Sequence, residues 1–367
     1  MDGNAFDLVV VGSGLSGMTA AASAAAGGAR VALTSTGFGN FVFGAGCVEK
    51  GKIAISTTKK ELAEAFAFFR TFAEEAGCPY AGGPEESLDL PTMFGTFQEV
   101  AMAPAFLAGA AASRGGRATI VGVKGLSSFD VGFIAERLTA EARKRGWSVT
   151  YDAWQIGLAA VPGTTPTLLQ FANRFDRDEA FRDELLAALK PVARETDLII
   201  LPGILGMRSR HERIESFAAG LGCRIAELPT LPPSIVGLRL HYALEERLRQ
   251  AGVEFFNGYP VSGLAIADGR CRAVSVATPA RERTLAAEAF ILASGQFSDH
   301  LLQGGLAGVD RQLRPLGTDG KPLAENLHAV GALLPAAASG GRRGGNELAI
   351  VTGYRIGRTA VAAKERA

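Results

Sequence analysis

Residues 6–36 read FDLVVVGSGLSGMTAAASAAAGGARVALTST. Phe6–Val11 is apolar and rich in β-branched side chains, the composition of a parallel strand buried on both faces. Gly12-Ser13-Gly14-Leu15-Ser16-Gly17 follows at once. An alanine-rich helical stretch then runs from Met18 to about Ala26. Gly27 and Gly28 stop it, and Arg30–Leu33 form the next strand. A GxGxxG turn between a strand and a helix gives each glycine a task. Gly12 permits the tight turn, Gly14 lets backbone approach a pyrophosphate, and Gly17 lets the helix pack near the strand. The helix N-terminus then offers N–H groups and a positive dipole end to phosphates. The second strand ends in Thr34-Ser35-Thr36. A carboxylate at this place usually binds the ribose hydroxyls of a dinucleotide. Here only hydroxyls are available to meet a ribose or a phosphate.

Working outward, residues 37–52 are Gly-rich with interleaved Phe38, Phe41 and Phe43. Gly44, Ala45 and Gly46 in this loop are candidates to lie against a flat ring. A helix is expected over Glu61–Ala76 and a loop over Gly77–Pro91. A second α/β unit follows. It has a strand at Ala118–Val123, a helix capped near Asp130 and running to Arg145, and a strand at Trp147–Trp154. A helix at 178–189 and a strand at Asp197–Leu201 extend it. Ser234 is a candidate cap for a helix running to Gln250, followed by a strand at Val253–Phe256. Asp268-Gly269 turns a hairpin of Val261–Ile266 and Cys271–Ala277. A strand over Leu285–Leu292 ends in Ala293-Ser294-Gly295, small enough for backbone to pass beside a dinucleotide. A short strand at Asn326–Val330 leads to Gly331 and Ala332. The Gly/Arg run at 340–346 opens the terminal helix, with Gly345, Asn346, Glu347 and Leu348 at its start and Asn346 as its expected cap. That helix dipole would stabilise the negative charge of a reduced flavin. Arg342 and Arg343 could serve the same end, or meet a phosphate or carboxylate.

These signals predict an α/β fold: a Rossmann-like FAD- or FMN-binding domain, residues 1–52 and 233–367, with a second α/β cap domain inserted at 53–232. With 367 residues, 47% apolar and 20% charged, the chain can bury the cores of about two domains. A net charge of +1 gives no drive toward nucleic acid. No apolar stretch is long enough to span a bilayer. The start lacks a basic leader, so a cytoplasmic location is expected. Cys47, Cys78, Cys223 and Cys271 show no CxxC spacing, so no metal or iron–sulfur site is expected, only reduced thiols. His211, His241, His300 and His328 are the histidines available as a base. None has a partner the sequence can identify, so catalytic residues stay unassigned. Arg208 and Arg210 beside His211 form a cluster able to meet a phosphate.

VVVGSGLSGMTAA, ILASG, ENLHAVG and SGGRRGGNEL together resemble flavoproteins of the fumarate reductase and succinate dehydrogenase type. VGVKGLSSFD (121–130) and LPTLPPSIVGLRL (228–240) resemble the B-subunit family of anaerobic glycerol-3-phosphate dehydrogenases. The resemblance implies a flavin, FMN for such a subunit. It implies a complex with a catalytic FAD subunit and an iron–sulfur, membrane-attached subunit, and so an attachment to the inner membrane through a partner. In that family glycerol 3-phosphate is oxidised and electrons pass to quinone. Gly12, Gly14 and Gly17 match the family's nucleotide turn. Gly340, Gly341, Gly344 and Gly345 match its terminal Gly-rich loop loosely, and Asn346 matches the broader flavoprotein pattern. The chain departs at Gly331-Ala332, where many FAD enzymes carry Gly-Asp, and the segment from Gln296 to Arg314 is shorter. The expectation is an electron-relaying subunit that leaves substrate oxidation to a partner. A stand-alone flavin dehydrogenase or reductase of a small substrate, and an assembly subunit with a vestigial nucleotide site, remain alternatives.

Overall fold

The computed structural model describes residues 6–49, 55–112, 116–159, 165–279, 281–295, 301–302, 308–334 and 345–364. In chain order these contain β1 (Phe6–Val11), α1 (Leu15–Ala26), β2 (Val31–Ser35), β3 (Val48–Glu49), α2 (Lys59–Glu75), β4 (Tyr80–Gly82), β5 (Leu88–Pro91), β6 (Phe97–Pro104), α3 (Ala105–Ala108), β7 (Arg117–Val123), α4 (Val131–Lys144) and β8 (Thr150–Ile156). There follow α5 (Leu168–Arg177), α6 (Glu179–Ala193), β9 (Leu198–Pro202), α7 (His211–Ala219), β10 (Arg224–Leu228), α8 (Ile235–Gln250), β11 (Glu254–Asn257), β12 (Val261–Ala267), β13 (Arg270–Ala277), β14 (Glu282–Leu292), β15 (Leu327–Ala329) and α9 (Asn346–Lys364). They group into two compact units: residues 1–40, 51–72 and 244–367, and residues 41–50 and 73–243.

The first unit is built on a sheet of order β11-β2-β1-β14-β13-β12, with β15 also paired to β14. β11, β2, β1, β14 and β15 are mutually parallel. β14 serves three partners along its length. Its first half pairs antiparallel with β13, and its last residues lie between β1 and β15. Its burial follows suit, with exposed residues first and a continuous buried run Ala289–Leu292 at the end, as a strand covered on both faces requires. Val11 lies beside Thr34 on one side and Leu292 on the other. The parallel strands therefore end together, and β1 sits where the strand order reverses, the place where open α/β sheets receive ligands.

α1 is buried from Leu15 to Ala24, because α9 covers the side that α1 turns away from the sheet. A Cβ on Gly353 would lie 2.4 Å from the Ser16 carbonyl oxygen, and one on Gly357 would lie 2.4 Å from that of Ala20. Contacts that advance four residues at a time on both helices mean that α1 and α9 run parallel, backbone close to backbone. On α9's other side Arg355 is bidentate to Glu61 and donates to the Ser56 carbonyl at 2.9 Å.

The second unit holds a parallel sheet, β10-β9-β7-β8, and an antiparallel one, β3-β6-β4, with β5 on β6. Asp130 accepts from the Phe133 N–H at 3.0 Å and caps α4, as its position before an apolar helix predicts. This parallel sheet also reverses order, at β7. There Leu126 and Phe129 after β7, and Ile204 and Leu205 after β9, are buried in the unit's own core. Glu227 and Arg239, 0% and 1% exposed, form a bidentate pair. Arg239 also donates to the Gly206 carbonyl at 2.7 Å.

Several elements differ from expectation. α1 starts at Leu15, three residues before Met18, because Gly17 is accommodated inside the helix. β8 occupies Thr150–Ile156 rather than Trp147–Trp154. Gly146 turns the chain (φ 71°) and Trp147 packs on Phe97 instead. The expected loop Gly77–Pro91 contains β4 and β5, whose Gly and Pro sit at strand ends. Asp178 caps a longer helix than 178–189, reaching Ala193. Among the described residues no helix is long and apolar enough to cross a membrane.

Candidate functional site

The turn after β1 is shaped by close backbone approach. Gly12 has φ 117°, its N–H donates to the Thr34 carbonyl at 2.7 Å, and a Cβ on it would lie 2.3 Å from the Ala293 oxygen. The Ala293 N–H in turn donates to the Val11 carbonyl at 2.7 Å. Gly17 presses on the same turn, since its Cβ would lie 1.9 Å from the Gly12 oxygen. Ser13 is buried and its hydroxyl donates to the Gly37 carbonyl at 2.7 Å, tying the loop after β2 back to the turn.

Gly14 behaves differently. It occupies the N-cap of α1 with extended backbone, no side chain there accepts from the first-turn N–H groups, and the first turn holds no acid. No described atom outside its chain neighbours comes within 4 Å of where its Cβ would stand. The N–H groups of Leu15, Ser16 and Gly17 thus open α1 without a capping side chain, and the positive end of the dipole is not neutralised locally.

A second helix terminus adds to it. Gly331 has φ 64°. A Cβ there would lie 2.5 Å from Ser16 Oγ and 3.9 Å from Ala349 Cα in the first turn of α9. The Gly331 N–H donates to Thr352 Oγ1 at 3.0 Å, and that hydroxyl donates to the Leu348 carbonyl at 2.7 Å. The starts of α1 and α9 therefore flank one glycine at the carboxyl edge of the sheet. Ser294 and Gly295 (φ 73°) continue the same edge after β14. Asn346 is the first residue of α9 rather than its cap, and Ala349 donates to the Gly345 carbonyl at 3.2 Å. Glu347 places an acid in that first turn, and Leu348 is buried. Ala332 lies in a single turn, Gly331–Leu333, and brings no carboxylate. Gly340, Gly341, Arg342, Arg343 and Gly344 lie outside the described residues.

At the end of β2 the three hydroxyls have separate surroundings. Thr34 is fully buried and donates to the Phe256 carbonyl at 3.2 Å, so it is spent inside the sheet. Ser35 donates to Asn257 Oδ1 at 3.1 Å. Thr36 is exposed.

Gly44, Ala45 and Gly46 belong to the second unit. Their loop is built onto α8. A Cβ on Gly237 would lie 1.9 Å from the Phe41 oxygen and 2.1 Å from that of Gly44, and the Ser234 N–H donates to the Val42 carbonyl at 2.7 Å. Ser234 caps α8 through the Gly237 N–H, as expected. Tyr80 donates to the Gly46 carbonyl at 2.8 Å. Phe43 remains 68% exposed. Burial pushes the Cys47 and Cys78 thiols up to about 12 and about 11, so both stay protonated at neutral pH.

Of the histidines, only His328 is both described and in the first unit. It is buried on β15 with Nδ1 2.9 Å from the Gln312 carbonyl. Burial holds it below the usual imidazole range, and nearby Arg314 acts the same way. His241 meets Phe41 edge to face in the second unit, and His211 Nε2 is 3.0 Å from Glu215 there. His300 lies outside the described residues.

The turn, the uncapped start of α1 and the second helix terminus fit the phosphates of a dinucleotide, which need backbone N–H groups and positive dipoles rather than bulky side chains. Sequence reading missed Thr352, Gly353 and Gly357, although small residues four apart in the terminal helix signal close helix packing. It also missed Asn257, which only the pairing of β11 with β2 brings to this edge.

Comparison with known proteins agrees with this geometry. A model described as "FAD binding domain" matches residues 7–50 and 239–307. The B subunit of the anaerobic glycerol-3-phosphate dehydrogenase of Pectobacterium atrosepticum is 26% identical over 345 residues, covering 85% of this chain and 79% of the relative. A probable B subunit of the same kind of enzyme from Halobacterium salinarum is 25% identical and covers 97% of this chain and 98% of its own. The crystal structure of Thermovibrio ammonificans THI4 aligns over 99% of this chain and 90% of its own, at 11% identity and a TM-score of 0.37, and adds nothing to the topology already described. The chain is therefore a flavoprotein of oxidoreductase type, with an FAD-binding domain split over residues 7–50 and 239–307, and a relative of the B subunits of anaerobic glycerol-3-phosphate dehydrogenases.

Proposed function

We propose that this chain is the electron-relaying flavin subunit of a dehydrogenase complex of the anaerobic glycerol-3-phosphate type. It acts beside a catalytic FAD subunit and an iron–sulfur, membrane-anchoring subunit that passes electrons to quinone. The phosphates of the flavin nucleotide rest on the amides of Gly12–Gly17, with Ala293, Ser294 and Gly295 below them and Gly331–Ala332 and Gly345–Leu348 closing the site. Ser35 and Thr36 meet the far end. Residues 53–232 are the inserted segment of the chain.

One observation carries the relay reading. The first unit, which holds the nucleotide turn, offers among its described residues one histidine, and that ring is buried with Nδ1 committed to the Gln312 carbonyl. Oxidising a secondary alcohol needs a base beside the carbinol proton. The bound flavin supplies electron transfer in one- or two-electron steps. This chain's own residues bind it, orient it and favour its reduced, negatively charged form through two helix N-termini. The test is an assay of the purified chain with glycerol 3-phosphate and a dye. No turnover is expected without partners, with dye reduction appearing once a catalytic subunit is added. Turnover by the isolated chain would contradict the relay.

A further inference from the structure

Arg208, Arg210 and His211 are near neighbours in sequence, but the second unit does not hold them as one cluster. The stem of Arg210 packs on Gly77, where a Cβ would lie 2.9 Å from Arg210 Cγ. His211 Nε2 turns to Glu215 at 3.0 Å. Arg213 spends Nη1 on the Asp176 carbonyl at 3.1 Å. Arg208 stands apart. It is exposed, and its guanidinium lies over the Tyr242 ring, 4.1 Å from the centroid. Among the described residues no carboxylate pairs with it.

The segment that carries Arg208 is held at each residue. The Leu205 N–H donates to Glu227 Oε1 at 3.0 Å, and the Gly206 carbonyl accepts from Arg239 at 2.7 Å. The Met207 and Arg208 N–H groups both donate to Asp176 Oδ2, at 2.8 and 3.0 Å. The Ser209 hydroxyl donates to Asp176 Oδ1 at 2.7 Å. None of these bonds uses the Arg208 side chain. They fix its backbone, and Tyr242 fixes the plane of its guanidinium. An exposed arginine ordinarily loses rotamer freedom when it pairs. Here much of that ordering is present beforehand, and such preorganisation strengthens binding.

One face of the guanidinium is covered by the ring. Its edge keeps a fork of N–H donors that matches a carboxylate side-on. A free phosphate needs several converging donors, and with Arg210, His211 and Arg213 turned elsewhere this place offers one cation. As one contact inside a larger interface the same group suffices, because interfaces concentrate their energy on a few arginines and tyrosines. The relatives named above are B subunits, so a chain of this kind has partner subunits to meet. We propose that Arg208, laid on Tyr242, is a docking point for an aspartate or glutamate side chain of a partner subunit. This rests on the complex proposed above and not on its flavin.

The test is calorimetric titration of the purified full chain with the purified catalytic subunit and, separately, the iron–sulfur subunit, at low and high salt. Arg208→Ala breaks no hydrogen bond of the 205–209 segment, so its thermal midpoint should match wild type. It should weaken binding to one of the two subunits about thirtyfold, the scale of an interface hot spot, and flatten the salt dependence of that affinity. Arg208→Lys keeps the charge without the planar fork and should still lose about tenfold. Arg208→Glu sets like charges together and should lose more than alanine. Affinities within about twofold of wild type for both subunits in Arg208→Ala would overturn the docking point and leave the complex standing. Binding of inorganic phosphate that Arg208→Ala abolishes, with subunit affinities unchanged, would overturn it in favour of a small-anion site. A wild-type chain that binds neither subunit would overturn the complex proposed above as well.

Discussion

At the scale of single residues, the three glycines of the first turn do different work, and substitution should separate them. Gly17 has backbone 1.9 Å from where a Cβ would stand. Gly17→Ala must push α1 off the turn and should cost about 2 kcal/mol or more of stability, read as a lower denaturant midpoint. Gly14 has free space at the same position, so Gly14→Asp should fold normally while placing a negative charge where phosphates approach. Its thermal midpoint should match that of flavin-stripped wild type while its flavin content falls. His328 gives a pH test. Its folded form is held below the ordinary value of 6.5, chiefly by burial, so the unfolded chain takes the proton first. Its contribution is complete above about pH 6.5 and is lost as pH falls below it. Stability measured in urea should therefore drop less between pH 7.5 and 5.5 in His328→Asn than in wild type. An equal drop in both would count against a neutral, buried His328.

At the scale of elements, the packing of α9 on α1 depends on Gly353 and Gly357. Gly353→Leu should separate the helices and lower both stability and flavin retention, because the two N-termini at the site are held together by that contact. In the second unit Glu227→Ala should leave Arg239 buried without its partner. That should cost about 3–5 kcal/mol, visible as loss of cooperative unfolding at lower temperature. The elements also show what a sequence can disclose. The unit β1-α1-β2 was readable because its signals are local: a buried apolar run, glycines at fixed offsets and an alanine-rich helix. The hairpin at Asp268-Gly269 was readable for the same reason, and its turn has the left-handed pair expected of it, φ 51° and 71°. β4 and β5 were hidden because Gly82 and Pro91 punctuate them, and only β6 supplies their pairing. The polar pair at the end of β2 was invisible, since Ser35 and Asn257 are 222 residues apart.

At the scale of the whole molecule, two sets of parallel strands reverse order at a central strand, and the described loops that follow them differ. In the first unit the reversal at β1 carries a glycine turn, an uncapped helix and a second helix terminus. In the second unit the corresponding loops send Leu126, Phe129, Ile204 and Leu205 into the core. The site is thus determined by what the chain places after each strand, not by the sheet alone. The domain's halves come from distant parts of the sequence, so a truncated N-terminal fragment would lack β14, β15 and α9 and should not retain flavin.

The central claim is that backbone amides at the start of α1 hold the phosphates of a flavin nucleotide. The most direct measurement is the flavin-to-protein ratio, by visible absorption, of the purified full chain and of Gly14→Asp, with the thermal stability of the variant matched to that of flavin-stripped wild type. A yellow wild type carrying about one flavin per chain and a folded but colourless variant is the predicted outcome. A variant as yellow as the wild type, or a wild type that purifies colourless and takes up no added flavin, would contradict it.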